Sequence, residues 1–500
     1  MYSVPGVIIQ ERSTIPPAVA AVATAIPVFI GRTAQGPANE PVRITTMLEY
    51  TEIFGQAPVQ PIALKAVKRV TGNPEVLLGV DISLSGTLDP LPDRMMAYAL
   101  NAYFDNGGGP CWIYSIGNDD TPTATDFRDA IKAMAAVDEP TLIVCPEAAR
   151  LSGSDPAGVI TEGLLSGLAT QDRFMIGDVP GAYPNDSYGP HAGRHLGSNG
   201  LEDLRAAFNP TDPKALQYGA CYWPYLRTDM LWRTEETQIT LASAQTMTIP
   251  ADGSAVDPDT DVADIPNISA TTTIADIKAP ADIDGTTTRP AETAIYNAAK
   301  AFVSSLYITL PPSPFVAGAY ATIDRNKGVH YAPANIGLNR VIGPAVRVSD
   351  TINASFNVDP TSGKSINVIR AFTGRGTLVW GARTLAGNDN EYRYVPVRRL
   401  MLMIEESIEK ATNQFVFAPN DRTTWVRVQT MIENFLFTQW RAGALQGEKP
   451  EHAYQVLVGL GVTMTADDIL NGLMRLTVRV APVRPAEFIE ITFEQMLPSS

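Results

Sequence analysis

Apolar and polar positions recur along this chain with two different periods, and the change from one to the other marks its elements. Near the end, Leu476, Val478 and Val480 interleave with Thr477 and Arg479, and Ile489, Ile491 and Phe493 interleave with Glu490, Thr492 and Glu494. A period of two over five residues is the pattern of a half-buried strand. Pro482 and Pro485 stand between the runs. Proline donates no ladder hydrogen bond and stiffens the chain, so the spacer does not favour a tight hairpin. The first run is expected to pair within the chain. The second is left with no obvious partner there.

Earlier in the chain, residues 1–12 form an arm with a turn at Pro5-Gly6 and a β-prone run at Val7, Ile8 and Ile9. Residues 18–30 are small and apolar and end in Val28-Phe29-Ile30. A strand is expected over 42–45, then a short helix capped by Thr45 or Thr46 and stopped by Gly55. Helical spacing over 94–104 precedes the loop DNGGGP, and strand-like runs at 111–116 and 141–145 flank a helix at 126–137. That rhythm predicts a mixed α/β domain. A helical piece at 164–169, buried strands at 174–178 and 220–225 and an amphipathic helix at 292–306 follow.

Two longer helices are expected near the end. One runs over 397–413 with Leu400, Met401, Ile404 and Ile408 on one face. The other runs over about 424–442 with a stripe of Val428, Met431, Ile432, Phe435 and Leu436. Asn420, Asp421 or Thr424 caps it, and Gly443 stands where a helix end favours positive φ. The whole reads as an α+β protein of several domains.

Composition narrows the function. Five hundred residues are ample for a large core and suggest roughly three domains. Only 18% are charged, below the usual figure of about 25%, which fits a surface buried in assemblies. The net charge of −15 argues against a general nucleic-acid binder. Residues 236–290 hold nine acidic residues against Lys278 and Arg289, a net of −7, and read as a solvent-facing inserted β module or long loop. Three scattered cysteines, Cys111, Cys145 and Cys221, without a CxxC pair fit a reducing compartment and no zinc ribbon. The apolar stretch 18–30 is interrupted by Pro27 and too short to span a bilayer, so a cytoplasmic product is expected.

No catalytic pattern stands out. DPTSGKS at 359–365 carries half of a phosphate-binding loop, but Val358 occupies the place of the required glycine, and a hairpin turn is the plainer reading. His191 and His195 are four apart among Pro190, Gly193 and Gly197, with no glutamate beside the first, so a loop is favoured over a metal site. Asp257, Asp259 and Asp261 have calcium-loop spacing, yet Val262 replaces the glycine and the closing glutamate is missing. Gly107 to Gly109 precede a strand, and Gly374 and Gly376 flank Arg375 without a third glycine; both read as turns. Arg398, Arg399, Arg422, Arg427 and Arg441 give the last helices a positive balance, either a solvated face or a docking face for an acidic partner. No cofactor or metal is expected.

The ordered set of short motifs resembles the contractile tail sheath proteins of phages and phage-like injection systems. Tyr2, Pro5-Gly6-Val7 and Glu11 open the series, followed by Phe29-Ile30-Gly31, Phe54-Gly55, Phe104 with Asn106-Gly107-Gly108, Pro311-Pro312-Ser313 and Trp380-Gly381-Ala382-Arg383. Val397-Arg398-Arg399-Leu400, Gly443-Ala444-Leu445, Ala481-Pro482-Val483 and Arg484-Pro485-Ala486-Glu487-Phe488 close it. The acidic segment departs from the family pattern.

The resemblance implies a non-enzymatic mechanical protein. Its subunits stack as hexameric rings into a helical cylinder around an inner tube, contact baseplate and tail-terminator or cap proteins, and contract to drive the tube through a target envelope. It implies assembly in the cytoplasm, a place in a particle released from the cell, and neither nucleic-acid binding nor membrane insertion. It further implies an N-terminal arm (1–27), an outer domain (28–235 and 291–391) interrupted by the acidic module (236–290), a C-terminal assembly domain (392–486) and a C-terminal arm (487–500). Strand addition between chains would use Val4, Val7, Ile8 and Ile9 at one end and Ile489, Ile491 and Phe493 at the other. Tube docking would use the helix near 424–441, with Arg427, Glu433 and Arg441 as its candidate contacts. Another self-assembling shell protein, or a cytosolic α/β enzyme, is the alternative class.

Overall fold

A computed structural model describes residues 18–72, 74–118, 121–151, 155–179, 205–250, 262–282, 288, 289, 292–488 and 490. Val4, Val7, Ile8, Ile9, His191, His195, Asp257, Asp259, Asp261, Ile489, Ile491 and Phe493 lie outside that set. The fold is a mixture of helices with several sheets, as expected.

In chain order the first elements are β1 (Pro27–Gly31), β2 (Pro41–Ile44), α1 (Met47–Phe54), β3 (Ile62–Thr71), β4 (Val76–Leu84), α2 (Met96–Asp105), β5 (Cys111–Ser115), α3 (Ala124–Met134), β6 (Leu142–Val144), α4 (Asp155–Thr170) and β7 (Phe174–Asp178). Then come β8 (Gly219–Trp223), β9 (Leu226–Leu231), β10 (Ile239–Thr248), β11 (Val262–Asp264), α5 (Ile274–Ile277), β12 (Ala281–Asp282), β13 (Thr288–Arg289), α6 (Thr293–Val303), β14 (Tyr307–Leu310) and α7 (Ser313–Asn326). The last are β15 (Ile336–Gly337), β16 (Val341–Pro344), α8 (Asp350–Asn357), β17 (Ile366–Phe372), β18 (Gly376–Val379), α9 (Val395–Thr412), α10 (Arg422–Arg441), β19 (Tyr454–Val458), α11 (Ala466–Leu470) and β20 (Leu476–Val480).

Two compact units result. The larger comprises the described residues of 25–325 and 333–395. Its main sheet has nine strands in the order β15-β18-β17-β8-β7-β6-β1-β5-β2. Six neighbouring strands, β17 to β5, run parallel, and the outer pairings are antiparallel. Helices α3 and α4 make the crossovers β5–β6 and β6–β7. Parallel strands are covered on both faces, and β1, β6, β7 and β8 are buried at every position, which is why they read as unbroken apolar runs.

A second sheet, β11-β10-β3-β4, combines two excursions from the main sheet, one between β2 and β5 and one between β8 and β17. Its central pair, β10 and β3, is parallel. Ile62, Leu64, Ala66, Ile239 and Leu241 pack under α5 and α6 with Ile274, Ile295 and Ala299. The strand content expected after residue 236 is therefore present, joined to strands at 62–84 that the hydropathy reading did not assign. A third sheet, β14-β9-β16, completes this unit's larger ladders.

The smaller unit comprises the described residues of 1–24, 326–332 and 396–500. Its core joins Leu400, Ile404 and Ile408 of α9 to Val428, Ile432 and Leu436 of α10, with Val456 of β19 and Val329. The stripes expected for both helices thus meet. Among the described residues, no helix is long and apolar enough to cross a membrane.

Candidate assembly interface

Helix α10 is positioned by its caps. The Asp421 carboxylate accepts from the Thr424 N–H at 2.9 Å, which holds its pKa below the ordinary value. Asn420 accepts from Trp425 Nε1 at 2.7 Å and donates to the Leu473 carbonyl at 3.0 Å. At the other end Gly443 has φ +81, and the chain turns into residues 444–446. There Gln446 N–H donates to the Ala481 carbonyl at 2.7 Å and Val483 N–H to the Ala444 carbonyl at 3.0 Å.

Leu476–Val480 pairs antiparallel with Tyr454–Val458, from Val458↔Leu476 to Tyr454↔Val480. The first alternating run is therefore an intrachain strand. Ala481 N–H points inward, to the Ala453 carbonyl at 2.9 Å. By alternation, the N–H groups of Leu476, Val478 and Val480 point away from β19. Among the described residues no third strand pairs with either outer edge of this two-stranded sheet.

Residues 18–24 run along α9. Val22 N–H donates to Ser407 Oγ at 3.1 Å, Arg399 Nη2 donates to the Thr24 carbonyl at 2.6 Å, and Val19 and Val22 pack on the core. The chain's first described segment is thereby held in the same unit as its last strands.

The structure separates the arginines that sequence reasoning grouped together. Arg398 and Arg399 are each 3% exposed, so neither belongs to a docking face. Arg398 pairs with Glu405 at 2.6 Å; burial pushes the Glu405 carboxyl up, against the pull of that arginine. Arg422, Arg427 and Arg441 are exposed. At 100° per residue Arg427 and Arg441 lie roughly 40° apart around α10, and Glu433 lies about 120° from the first and about 80° from the second. Glu433 is half-buried and accepts from Gln429 Nε2 at 2.8 Å. Sequence reasoning missed two exposed apolar residues of α10, Val426 (53% exposed) and Phe437 (39%), which lie within about 60° of Arg441 around the helix and within about 40° of Glu433. The signal was available: both fall off the apolar stripe that fills the core.

The places where chemistry was sought are structural. DPTSGKS joins α8 to β17, so it follows a helix and precedes a strand, the reverse of a phosphate loop, and it is not the hairpin turn first expected. Asp359 caps it through the N–H groups of Thr361 and Ser362, at 3.2 and 2.7 Å, and Lys364 Nζ donates to the Arg205 carbonyl at 2.5 Å.

The nine-stranded sheet has a switch point at β1, whose neighbours β5 and β6 follow it on opposite sides, and such crevices commonly bind ligands. A cavity of about 340 Å³ lies there, lined by Arg32, Asp93, Thr123, Arg150 and Asp155 among others. Its cations already have carboxylate partners. Arg32 Nε meets the buried Glu147 at 3.1 Å, Asp93 lies 3.3 Å from Arg32 Nη1 and 3.5 Å from Arg150 Nε, and Asp89 lies 3.2 Å from Arg150 Nη1. Burial raises the Glu147 pKa while Arg32 pulls it back. No group of three or more metal-ligating side chains occurs among the described residues.

Residues 387–496 match the model of the phage tail sheath C-terminal domain. The whole chain is also similar to solved sheath structures. It is 28% identical to a chain of the anti-feeding prophage baseplate, covering 99% of this chain and 100% of that one, with a TM-score of 0.60.

The chain carries the sheath C-terminal domain and is similar over its length to contractile sheath proteins.

Other sheath relatives have similar values. The anti-feeding prophage helical sheath in the contracted state is 28% identical, with 99% and 100% of the two chains covered and a TM-score of 0.59. The sheath complex of the extracellular contractile injection system PVC, also contracted, is 27% identical, with 99% and 98% covered and a TM-score of 0.59. A search of curated proteins gave no match. The open-edged β19–β20 sheet, the capped helix α10 and the closing AP-V-RPAEF motif all fall inside the sheath C-terminal domain match.

Proposed function

We propose that this chain is the structural subunit of the sheath around the inner tube of a contractile, phage tail-like injection particle. Subunits polymerise as stacked hexameric rings, and contraction of the cylinder drives the tube through a target envelope. The role is mechanical, with no catalytic step. Assembly takes place in the cytoplasm, and the finished particle acts outside the cell. Its partners are further copies of the chain, the tube protein, the baseplate and the terminator or cap.

The observation that carries this reading is the two-stranded β19–β20 sheet with both outer edges unpaired among the described residues. A two-stranded sheet is marginal by itself, and an uncovered edge is a template for another strand. Residues 1–27 and 487–500, with Val4, Val7, Ile8, Ile9, Ile489, Ile491 and Phe493, are the strands that neighbouring copies would contribute. Main-chain ladders of that kind persist while side-chain contacts are exchanged, which suits an assembly that must slide without falling apart. The domain division at residues 236, 291 and 392 is part of the same reading. Helix α10, with Arg427 and Arg441 on its outer side, faces the tube.

Deletion of residues 487–500 tests the reading. The shortened chain should keep the thermal unfolding of the full chain and form no hollow cylinders in negative-stain images, whereas the full chain forms them. Cylinders built by the shortened chain would sink strand addition.

A further inference from the structure

The turn between β17 and β18 presents a cluster of arginines and aromatic rings. Gly374 and Gly376 both have φ +76, which only glycine adopts readily, and between them they expose Arg375. The Phe372 and Trp380 rings lie 4.5 Å apart at 54°. Arg370 stands 4.9 Å over Phe372, and Arg375 stands 5.7 Å over the same ring and 5.9 Å over Trp380. Two guanidinium groups therefore share one ring.

Their charge is half compensated. Arg370 pairs with Asp350 at 2.6 Å, but the Asp350 side chain is 93% exposed, and Arg370 Nε is buried without a hydrogen-bond acceptor. Arg375 reaches Asn335 Oδ1, a neutral acceptor. A planar guanidinium stacked on an aromatic ring is already held in place, so a carboxylate that joins it loses little entropy. Arginine and tryptophan are also the side chains that anchor interfaces.

The same chain carries the complement. Residues 251–264 contain Asp252, Asp257, Asp259, Asp261 and Asp264 and no Lys or Arg. In a protein of net charge −15, a basic and aromatic cluster with Arg375 exposed and Arg370, Phe372 and Trp380 half-buried is a local exception, and five aspartates within fourteen residues are its opposite extreme. We propose that the Arg370–Phe372–Arg375–Trp380 cluster docks the acidic stretch 251–264 of a second copy of this chain. Two different patches meet in such a contact, so it is head-to-tail and propagates around a ring or along a helix. The proposal rests on the reading of the chain as a self-assembling sheath subunit and assigns a role to the segment that departs from the family pattern.

Charge reversal tests it in the full chain. Arg375→Glu is compared with the triple change Asp257→Lys, Asp259→Lys, Asp261→Lys, and with the combination of both. Sedimentation over a concentration series at low salt reads the concentration needed for assembly. Each set alone should raise it about three- to tenfold, and raised salt should shrink the difference. The combination should return to within about twofold of wild type. Unchanged thresholds, or a combination as impaired as its worse component, overturn the proposal. So does a shift confined to the melting temperature of the unassembled chain, which marks a contact within one copy. A second measurement does not depend on cylinders. A synthetic peptide of residues 251–264 should bind the full chain and bind Arg375→Ala at least about threefold more weakly. Equal binding overturns the proposal, while a wild-type chain that forms no cylinders counts against the sheath reading instead.

Discussion

Arg399 donates from Nη2 to the main-chain carbonyl of Thr24 at 2.6 Å, across 375 positions of sequence. The arginine is 3% exposed and sits on α9, inside the matched domain, while Thr24 ends the N-terminal stretch of the smaller unit. This buried guanidinium, together with the Val22–Ser407 bond, ties residues 18–24 to α9. A charged donor is suited to this, because a hydrogen bond from a charged group is about twice as strong as one between neutral groups.

Replacement of Arg399 by Met keeps much of the side-chain bulk and removes the donor. The expected outcome is a loss of about 1–3 kcal/mol in the stability of the smaller unit, read by denaturant unfolding. Hydrogen exchange should rise at residues 18–24 before it rises in α10. Unchanged exchange at Val22 and Thr24 would show that the contact does not hold the segment.

Asp178 leads to a prediction about pH. It lies at the end of β7, buried, and accepts from the Ser313 N–H at 2.7 Å and from the Ser313 hydroxyl at 2.5 Å at the start of α7. Burial raises its pKa from 3.8 to about 7, and the two Ser313 bonds pull it back. A carboxyl with a raised native pKa binds its proton in the folded chain after the unfolded chain has released it. Stability from this group is therefore greatest below about pH 4, falls as pH rises towards 7 and is level above that. Asp178→Asn, which keeps the acceptor without the charge, should remove this slope. Urea unfolding of both chains at pH 5 and pH 7.5 checks it, and parallel pH dependences would contradict the assignment.

The outer side of α10 supplies the third prediction. Val426 and Phe437 are exposed eleven positions apart, roughly 20° around the helix, and Arg441 stacks over Phe437 at 6.0 Å. Val426→Ser with Phe437→Ser should lower stability by no more than about 1 kcal/mol, since both side chains lie outside the core and Phe437 packs along its own helix against Trp440 and Arg441. Cosedimentation with the tube protein should nonetheless weaken at least about tenfold if this side docks on the tube. Arg427→Ala with Arg441→Ala should weaken it less and make it less sensitive to salt. Undiminished cosedimentation would remove α10 from the tube interface.

Local chemistry made much of this fold legible. The alternation of Leu476, Val478 and Val480 marked β20, the stripe from Val428 to Leu436 marked α10, and Gly443 marked its end. Each of these signals lies within a few residues, and the corresponding hydrogen bonds form over the same distance. Motif order carried the resemblance to sheath proteins for the same reason. Each motif is short, and its glycines and prolines serve turns that are built locally.

Other features depended on which faces meet. Lys65, Lys68 and Arg69 obscure the strand periodicity of β3, and only its parallel partner β10, far along the chain, explains why Leu64 and Ala66 are buried. Arg398 and Arg399 read as surface charge until α9 packs against the segment 18–24 and closes over them. Val426 and Phe437 fall off the stripe of α10, and packing of that stripe into the core leaves them outside. Burial is a property of the pair of surfaces in contact, and a single strand or helix specifies only one of them. Local sequence specified most of the elements, the alternation of the closing strands and the resemblance to sheath proteins. The tertiary structure decided which charges are buried, which apolar side chains are left outside, and which arginines remain available to a neighbour.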